Sequence, residues 1–532
     1  MPDWPFFTLT WLNSTFLAHG LAGKGHLIGL NAAVPKKIPR EVTQVDSSVG
    51  QFDHAALRVG LVFAAQRAAF DADRYPPAAR RRAGIKALKR QIGRYQDLLA
   101  DAMSRDFGFR AQPESKMLDL LGSTLEANHA ITHLKRWMKS SRRATELLFL
   151  SNSLSVTYQP KGVVGVIVPW NFPVYLAVGP LIAALAAGNR VMIKMSEITP
   201  ATNAVLSRLL GEIFQEDQVA LVGEELVNPN VFTALPFDHI VFTGSPAVGK
   251  IVMGTAAENL TPVTLELGGK SPAVVLRDYP VADAARRIAH GKTANCGQIC
   301  VSPDYALVPR ERVGDFVTEV TSSYRTMTAP GADGPETTWV VNDRHLARIN
   351  GLLSDAREKG ATIIPCADYD AGRNGRQMPL HIVTDCTADM RIMQEELFGP
   401  ILPVLPYDTL EEVIQRVNAG ERPLALYCFS HDAAEREALL RRTHSGGVTI
   451  NDWGWHAINH DAPFGGVGHS GMGSYHGVEG FRELSHARTV FKKHRFFPIG
   501  LFYPPYGNLV QRLSLKLFLG TGDPSLKETS AG

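Results

Sequence analysis

The chain of 532 residues holds only five cysteines: Cys296, Cys300, Cys366, Cys386 and Cys428. So few thiols in so long a chain exclude a disulfide framework, and a reducing compartment, the cytoplasm, is expected. Charge of one sign is also missing, since 55 Lys and Arg stand against 52 Asp and Glu, a net +3. A dedicated nucleic-acid binder carries a strong basic excess, so no nucleic-acid partner is expected. The densest basic run is Arg80, Arg81, Arg82, Lys86, Lys89, Arg90 and Arg94, interleaved with Ile85, Leu88 and Ile92 at spacings of three and four. This reads as one amphipathic helix with a solvated basic face. Residues 162–188, "GVVGVIVPWNFPVYLAVGPLIAALAAG", are long enough to span a bilayer, but Pro169, Asn171 and Pro173 interrupt them. A strand, a turn and a buried helix fit better, and no membrane partner is expected. Residues 1–51 lack a basic lead followed by an unbroken apolar core, so they read as an extension rather than a signal peptide. There is no repeat at a solenoid period, and no clear G-x-G-x-x-G after a first strand.

What is present is alternation. Residues 52–140 read as mostly helical. From about residue 160, short β-rich runs such as "VMIKM" (191–195), "VALVG" (219–223), "HIVFTGS" (239–245) and "PVTLELGG" (262–269) alternate with helical stretches. "PAVVL" (272–276) and "YALVP" (305–309) open a second series. This predicts parallel sheets covered on both faces, in two α/β domains joined near Gly268–Lys270.

Several short segments can carry chemistry. "FTGSPAVG" ends a strand at Gly244-Ser245, with Gly249 in the first turns of the next helix, a place where backbone can approach a phosphate. Two glycines at a strand–helix join are common, so the motif alone is weak. Lys194 and Glu197 in "IKMSE" lie at the carboxyl end of a strand, where ligands of open sheets bind. Taken by themselves they are better read as a surface lysine and a first-turn glutamate that meets the helix dipole. Glu266 stands in an apolar strand before two glycines, either paired or poised as a base with a raised pKa. Asn171, between two prolines in "PWNFP", can donate to an oxyanion or simply cap its own turn. Cys296 and Cys300, four apart, have no second Cys/His pair at zinc spacing, and the His456–His460 pair lies in a loop-rich stretch. No metal is expected.

Together, "PWNFP", "IKMSE", "FTGS", "LELGGK", "NCGQIC" and "EELFGP" resemble the aldehyde dehydrogenase family, and their order is that family's order. The likeness spans about residues 55–495. "GKTANCGQICVSPDY", "PLALYCFS" and "PFGGVGHSGMGSYHG" are similar to its class 3-like, coniferyl-type branch. The resemblance implies an α/β fold: a Rossmann-type NAD-binding domain (52–150 and 161–267), a second α/β catalytic domain (268–462) and a small β-hairpin bridging element (151–160 and 484–495). An N-terminal extension (1–51) and a C-terminal tail (496–532) flank them. It implies Cys300 as nucleophile, Glu266 as general base and Asn171 in the oxyanion hole, with Cys296 a buried small residue one helical turn away. For the cofactor it implies Pro169 and Trp170, Lys194 and Glu197 at the adenosine ribose, Gly244, Ser245 and Gly249 at the pyrophosphate, and Glu396 and Phe398 around the nicotinamide. NAD is the expected cofactor, with NADP as a weaker substitute, and a homodimer the expected assembly. Thr293 and Met195 depart from the common pattern, which bears on substrate fit rather than reaction type.

The implied reaction oxidises an aldehyde to its acid through a thiohemiacetal and a thioester on Cys300. Rivals are a coenzyme A-acylating enzyme, a broad-specificity aliphatic enzyme and a non-catalytic protein on the same fold. Trp170, Tyr175, Trp453, Trp455 and His456 are expected to wall an aromatic tunnel, or else to pack between domains.

Overall fold

Val163, Val164, Val191 and Ile193 have no exposed surface, as expected of strands buried on both faces. The computed structural model describes residues 54–146, 149–329, 337–368 and 375–520. The expected extension 1–51 and the last residues of the expected tail lie outside them.

β1 (Ser141–Arg143) and β2 (Ser153–Pro160) come first. β3 (Val163–Ile167), β4 (Arg190–Lys194), β5 (Val219–Val222), β6 (His239–Gly244) and β7 (Val263–Leu267) then form a parallel sheet. The chain leaves that sheet at Leu267 and joins another at Pro272. This second sheet contains β8 (Pro272–Val275), β9 (Tyr305–Pro309), β10 (Thr362–Pro365), β11 (His381–Thr384), β12 (Ile401–Tyr407), β13 (Ala425–Phe429) and β14 (Gly447–Ile450). Its order is β10-β11-β12-β9-β8-β13-β14, and only β10 runs antiparallel to its neighbour. β15 (Gly471–Met472) returns to the first sheet and pairs antiparallel with β7, giving the order β15-β7-β6-β3-β4-β5. β16 (Ser485–Lys492) pairs antiparallel along β2, with β1 on the other side of β2.

The membrane-length stretch resolves into β3, the "PWNFP" turn and the helix Tyr175–Ala187, every residue of which is buried. Gly188 ends that helix at φ 94°, a left-handed position suited to glycine. No helix of the described residues is long and apolar enough to cross a membrane. The basic run does form one amphipathic helix, Ala78–Phe107, with Ile85, Leu88 and Ile92 buried. Arg81 corrects the expectation of a wholly solvated basic face. It is buried and donates through Nη1 to the carbonyls of Ala186 (3.0 Å) and Ala187 (2.6 Å). Those carbonyls end a helix and lack intrahelical partners, so a guanidinium there satisfies them and meets the negative end of the helix dipole.

Candidate active site

The helix Val281–Thr293 stops because Asn295, Cys296 and Gly297 all take left-handed backbone, at φ 47°, 55° and 67°. For the two non-glycine residues this costs roughly 1–2 kcal/mol each, so neighbours must hold the turn. The Asn295 amide donates to Glu114 Oε1 at 2.7 Å, and Asn295 Nδ2 donates to the Asn171 and Gln298 carbonyls, both at 3.1 Å. Buried Gln298 donates to the carbonyls of Asn295 (2.9 Å) and Trp339 (3.1 Å) and accepts from the Val341 amide (2.9 Å). At Gly297 a Cβ would lie 2.5 Å from the Gly399 carbonyl, so only glycine fits. Cys296 is therefore not one helical turn from Cys300. It points into an apolar cluster with Met378 and Leu397, and burial pushes its thiol up to about 12. Cys300 emerges beyond the turn, half-buried. Burial and, after it, the nearby Glu396 and Glu266 carboxyls push its thiol up to about 12 as well.

The Asn171 side chain is buried and donates through Nδ2 to the Gln298 carbonyl at 3.1 Å. A carboxamide has two N–H donors, so one remains for another acceptor. Behind this turn lies an ion pair absent from the sequence reading: Arg110 Nη1 to Asp119 Oδ2, 2.9 Å, both side chains fully buried. Asp119 Oδ1 accepts from the amides of Val174 (3.2 Å) and Tyr175 (2.9 Å), and Arg110 Nη1 donates to the Asn171 carbonyl (3.4 Å). The guanidinium also stacks between Phe107 and Phe172, 5.1 Å from the latter. Burial raises the Asp119 pKa, while Arg110 and the two amides oppose that rise. No spacing rule links residues 110 and 119 to a turn at 171.

Glu266 sits on β7 opposite Gly471 of β15, buried, and neither carboxylate oxygen has a hydrogen-bond partner. Burial holds its pKa well above the usual carboxylate range. Glu396 packs so closely on Gly268 that a Cβ there would lie 2.0 Å from its Oε2. Its Oε1 is unpartnered, and burial, then Asp304, pushes its pKa up to about 8. Lys270 ties this loop down through an ion pair with Asp304 and bonds to the Ile392 (2.7 Å) and Glu395 (3.0 Å) carbonyls. Asp304 accepts in turn from the Leu397 amide at 2.9 Å. The lysine of "LELGGK" thus anchors "EELFGP", a link that reading each motif separately misses.

These groups surround one cavity of about 970 Å³. Pro169, Trp170, Asn171, Gly244, Ser245, Glu266, Cys300, Glu396 and Phe398 line it, joined by Lys250, His345 and Arg348. The Trp170 ring meets Phe398 edge-on at 5.4 Å. Ser245 caps the helix Pro246–Ala257, accepting from the Val248 amide at 3.4 Å, so that helix presents its positive end to the cavity. Lys194, Glu197 and Gly249 are not in the wall. Lys194 is buried and donates to the Met195 carbonyl at 2.7 Å, and Glu197 is exposed. A Cβ on Gly249 would lie 2.8 Å from the Leu267 side chain, so this glycine lets helix and strand pack closely. Of the expected tunnel residues, Trp170 lines the cavity and Tyr175 is buried nearby in the protein. Trp453 donates to His290 at 3.0 Å, Trp455 is exposed and bonded to Asp452, and His456 lies between Tyr427 and Phe464.

A half-buried thiol, an unpaired buried carboxyl, a fixed carboxamide and a helix N-terminus on the wall of one cavity suit a thiol-dependent oxidoreductase. The aldehyde dehydrogenase family model matches residues 48–490, and the chain belongs to that family. It is 50% identical over 458 residues, 86% of this chain and 96% of the other, to a Pseudomonas aeruginosa protein described as a probable coniferyl aldehyde dehydrogenase. It is 42% identical over 433 residues to the coniferyl aldehyde dehydrogenase of a Pseudomonas species, 80% of this chain and 89% of that one. Among solved structures, substrate-bound Staphylococcus aureus AldH matches with TM-score 0.81 and 34% identity, covering 87% of this chain and 99% of that one. Mycobacterium tuberculosis aldehyde dehydrogenase complexed with NAD+ matches with TM-score 0.74 and 30% identity, over 82% and 90% of the two chains.

Proposed function

We propose that this aldehyde dehydrogenase oxidises aromatic, phenylpropanoid-type aldehydes to their acids with NAD. One observation carries the mechanism: Cys300, Glu266 and Asn171 meet on the wall of one cavity, and Glu266 is buried with both oxygens unpartnered. The residues present fit a dinucleotide. The capped helix, which itself carries Lys250, offers a pyrophosphate site, and the free Glu396 Oε1 offers an acceptor for a ribose hydroxyl. Lys194 and Glu197, at the carboxyl end of β4, are assigned to the adenosine ribose.

Deprotonated Cys300 attacks the aldehyde carbon, and the developing oxyanion accepts from Asn171 Nδ2 and the Cys300 amide. Bound NAD supplies the hydride acceptor. Glu266 then takes a proton from water attacking the thioester, and the acid leaves as Cys300 regains its sulfur electrons. Acyl transfer to a thiol does not need a water-activating carboxylate, which speaks against the coenzyme A-acylating alternative. The coniferyl-type relatives favour a conjugated aromatic substrate over short aliphatic aldehydes. Five free thiols suit a reducing cytoplasm. The outer edge of β16, exposed along nearly its whole length, suits strand pairing in a homodimer. The NAD-binding domain is assigned to 52–150 and 161–267, the catalytic domain to 268–462 and the bridging hairpin to 151–160 and 484–495.

The test is NADH formation from a panel of cinnamyl, benzyl and aliphatic aldehydes, with NAD or NADP, and with or without coenzyme A. Cinnamyl-type aldehydes with NAD should lead by at least about tenfold in kcat/KM, roughly 1.4 kcal/mol. Equal rates on hexanal would leave a broad-specificity enzyme, and a requirement for coenzyme A would overturn the hydrolytic step.

A further inference from the structure

The helix Leu509–Leu519 buries only Gln511. It opens with a capping box, in which Asn508 Oδ1 accepts from the Gln511 amide at 2.9 Å. Gln511 Nε2 donates to the carbonyls of Leu501 and Tyr503, both at 3.1 Å, and Asn508 Nδ2 donates to that of Leu501 at 2.7 Å. Polar groups on one side thus hold the helix in place, and its apolar side chains are left uncovered. Leu509, Leu513 and Leu517, four apart, are 64%, 57% and 70% exposed, with Val510 beside them. Phe496 and Tyr506, ahead of the helix, are 70% and 78% exposed. Single surface leucines are ordinary, but a run of apolar residues this exposed marks a surface that meets something.

Charge decides what it meets. Between Leu484 and Gly520 stand Arg488, Lys492, Lys493, Arg495, Arg512 and Lys516, with no Asp or Glu, in a chain whose 55 bases and 52 acids nearly balance. Arg512 and Lys516, exposed and also four apart, run along one flank of the leucine stripe. A two-fold contact with a second copy would set this patch against itself, and its cations against one another. An anionic surface with an apolar layer beneath it satisfies both features at once. A phospholipid headgroup layer is such a surface, where Lys and Arg reach outward to phosphate while leucines and aromatic rings enter the acyl boundary.

Length sets the geometry. The helix has 11 residues and rises about 16 Å, near half of the ~30 Å apolar core of a bilayer, so it can lie along a membrane but not cross it. The expectation of no membrane partner concerns spanning segments and does not reach a helix that lies in the interface. We propose that residues 488–519 dock the enzyme peripherally on an anionic phospholipid surface, with the leucine stripe of Leu509–Leu519 in the headgroup layer.

The test is co-sedimentation of the full-length enzyme with phosphatidylcholine vesicles, with or without about a third phosphatidylglycerol. Binding to the anionic vesicles should be at least about tenfold stronger than to neutral ones, and should be lost in about 0.5 M salt. Leu513→Glu with Leu517→Glu should abolish binding while NADH formation from a soluble aldehyde stays unchanged. Arg512→Gln with Lys516→Gln keeps the apolar stripe, should weaken binding at least about tenfold, and serves if the glutamates disturb folding. No binding of the native enzyme to anionic vesicles, equal binding to neutral ones, or binding untouched in both variants would overturn the proposal. Native enzyme that ignores vesicles, but whose mass in light scattering halves in the glutamate variant, would put a second copy on the stripe instead.

Discussion

Asn171 Nδ2 is bonded to the carbonyl of Gln298, two residues before Cys300, so the proposed oxyanion donor and the turn that bears the proposed nucleophile are held as one unit. Asn295 reinforces this by donating to the carbonyls of both Asn171 and Gln298. Asn171→Ala should therefore lose a transition-state donor and loosen the turn together. Its kcat is expected to fall about 10²–10³-fold, the usual effect of removing one oxyanion donor. Steady-state kinetics on a cinnamyl aldehyde checks this, and a drop below tenfold would mean that another group carries the charge.

The two cysteines should separate cleanly. Cys300→Ala is expected to abolish oxidation, while Cys296→Ala, a change inside an apolar cluster, should keep most of it. Cys300 also has a pH signature. With its thiol pushed up to about 12 in the free enzyme, the reactive thiolate is a small fraction at neutral pH. Alkylation by iodoacetamide should then rise about tenfold per pH unit between roughly pH 7 and 9. A plateau in that range would show the thiol already ionised.

Glu266→Gln should leave a burst of NADH followed by slow turnover. Loss of a general base costs about 10²–10⁴-fold on the step it serves, here thioester hydrolysis. Stopped-flow absorbance gives the burst amplitude directly. Equal slowing of burst and turnover would place Glu266 in the acylation step as well.

Breaking the Arg110–Asp119 pair should be a stability event with a kinetic echo. Arg110→Met strands a buried carboxylate, a loss of about 3–5 kcal/mol, whereas Arg110→Met with Asp119→Leu should cost less than the two single changes summed. Urea unfolding of the three variants measures the coupling, and strict additivity would refute it.

The sheets were readable because parallel strands buried on both faces appear as short apolar runs, and "PAVVL" and "YALVP" fall on β8 and β9. Nine of the twelve expected site residues line one cavity, since they stand beside strand ends and turns that the motifs mark. What stayed hidden was contact between distant segments. Arg81 looked like part of a solvated face because a sequence cannot show which helix end lies beside it. Arg110 with Asp119, and Lys270 with the loop at 392–397, carry no spacing signal. A glycine that approaches a phosphate and one pressed against a side chain such as Leu267 leave the same mark in the sequence, and Gly249 is in the second position. Sequence spacing pairs His456 with His460, whereas folding joins His460 to His476 and Glu126.

β15 has a consequence for how the enzyme comes into being. Gly471 and Met472 pair with Glu266 and Leu265, and the Leu267 amide donates to the Ser470 carbonyl at 3.1 Å. The strand bearing Glu266 therefore has one edge open until residues 470–472 have left the ribosome, long after its own synthesis. A nascent chain carries Cys300 and Glu266, the proposed nucleophile and base, well before that point, yet Glu266 still lies at an unfinished edge. Catalytic competence is thus a late event of translation, and a chain arrested after β14 would hold every expected catalytic residue without the strand that completes their setting.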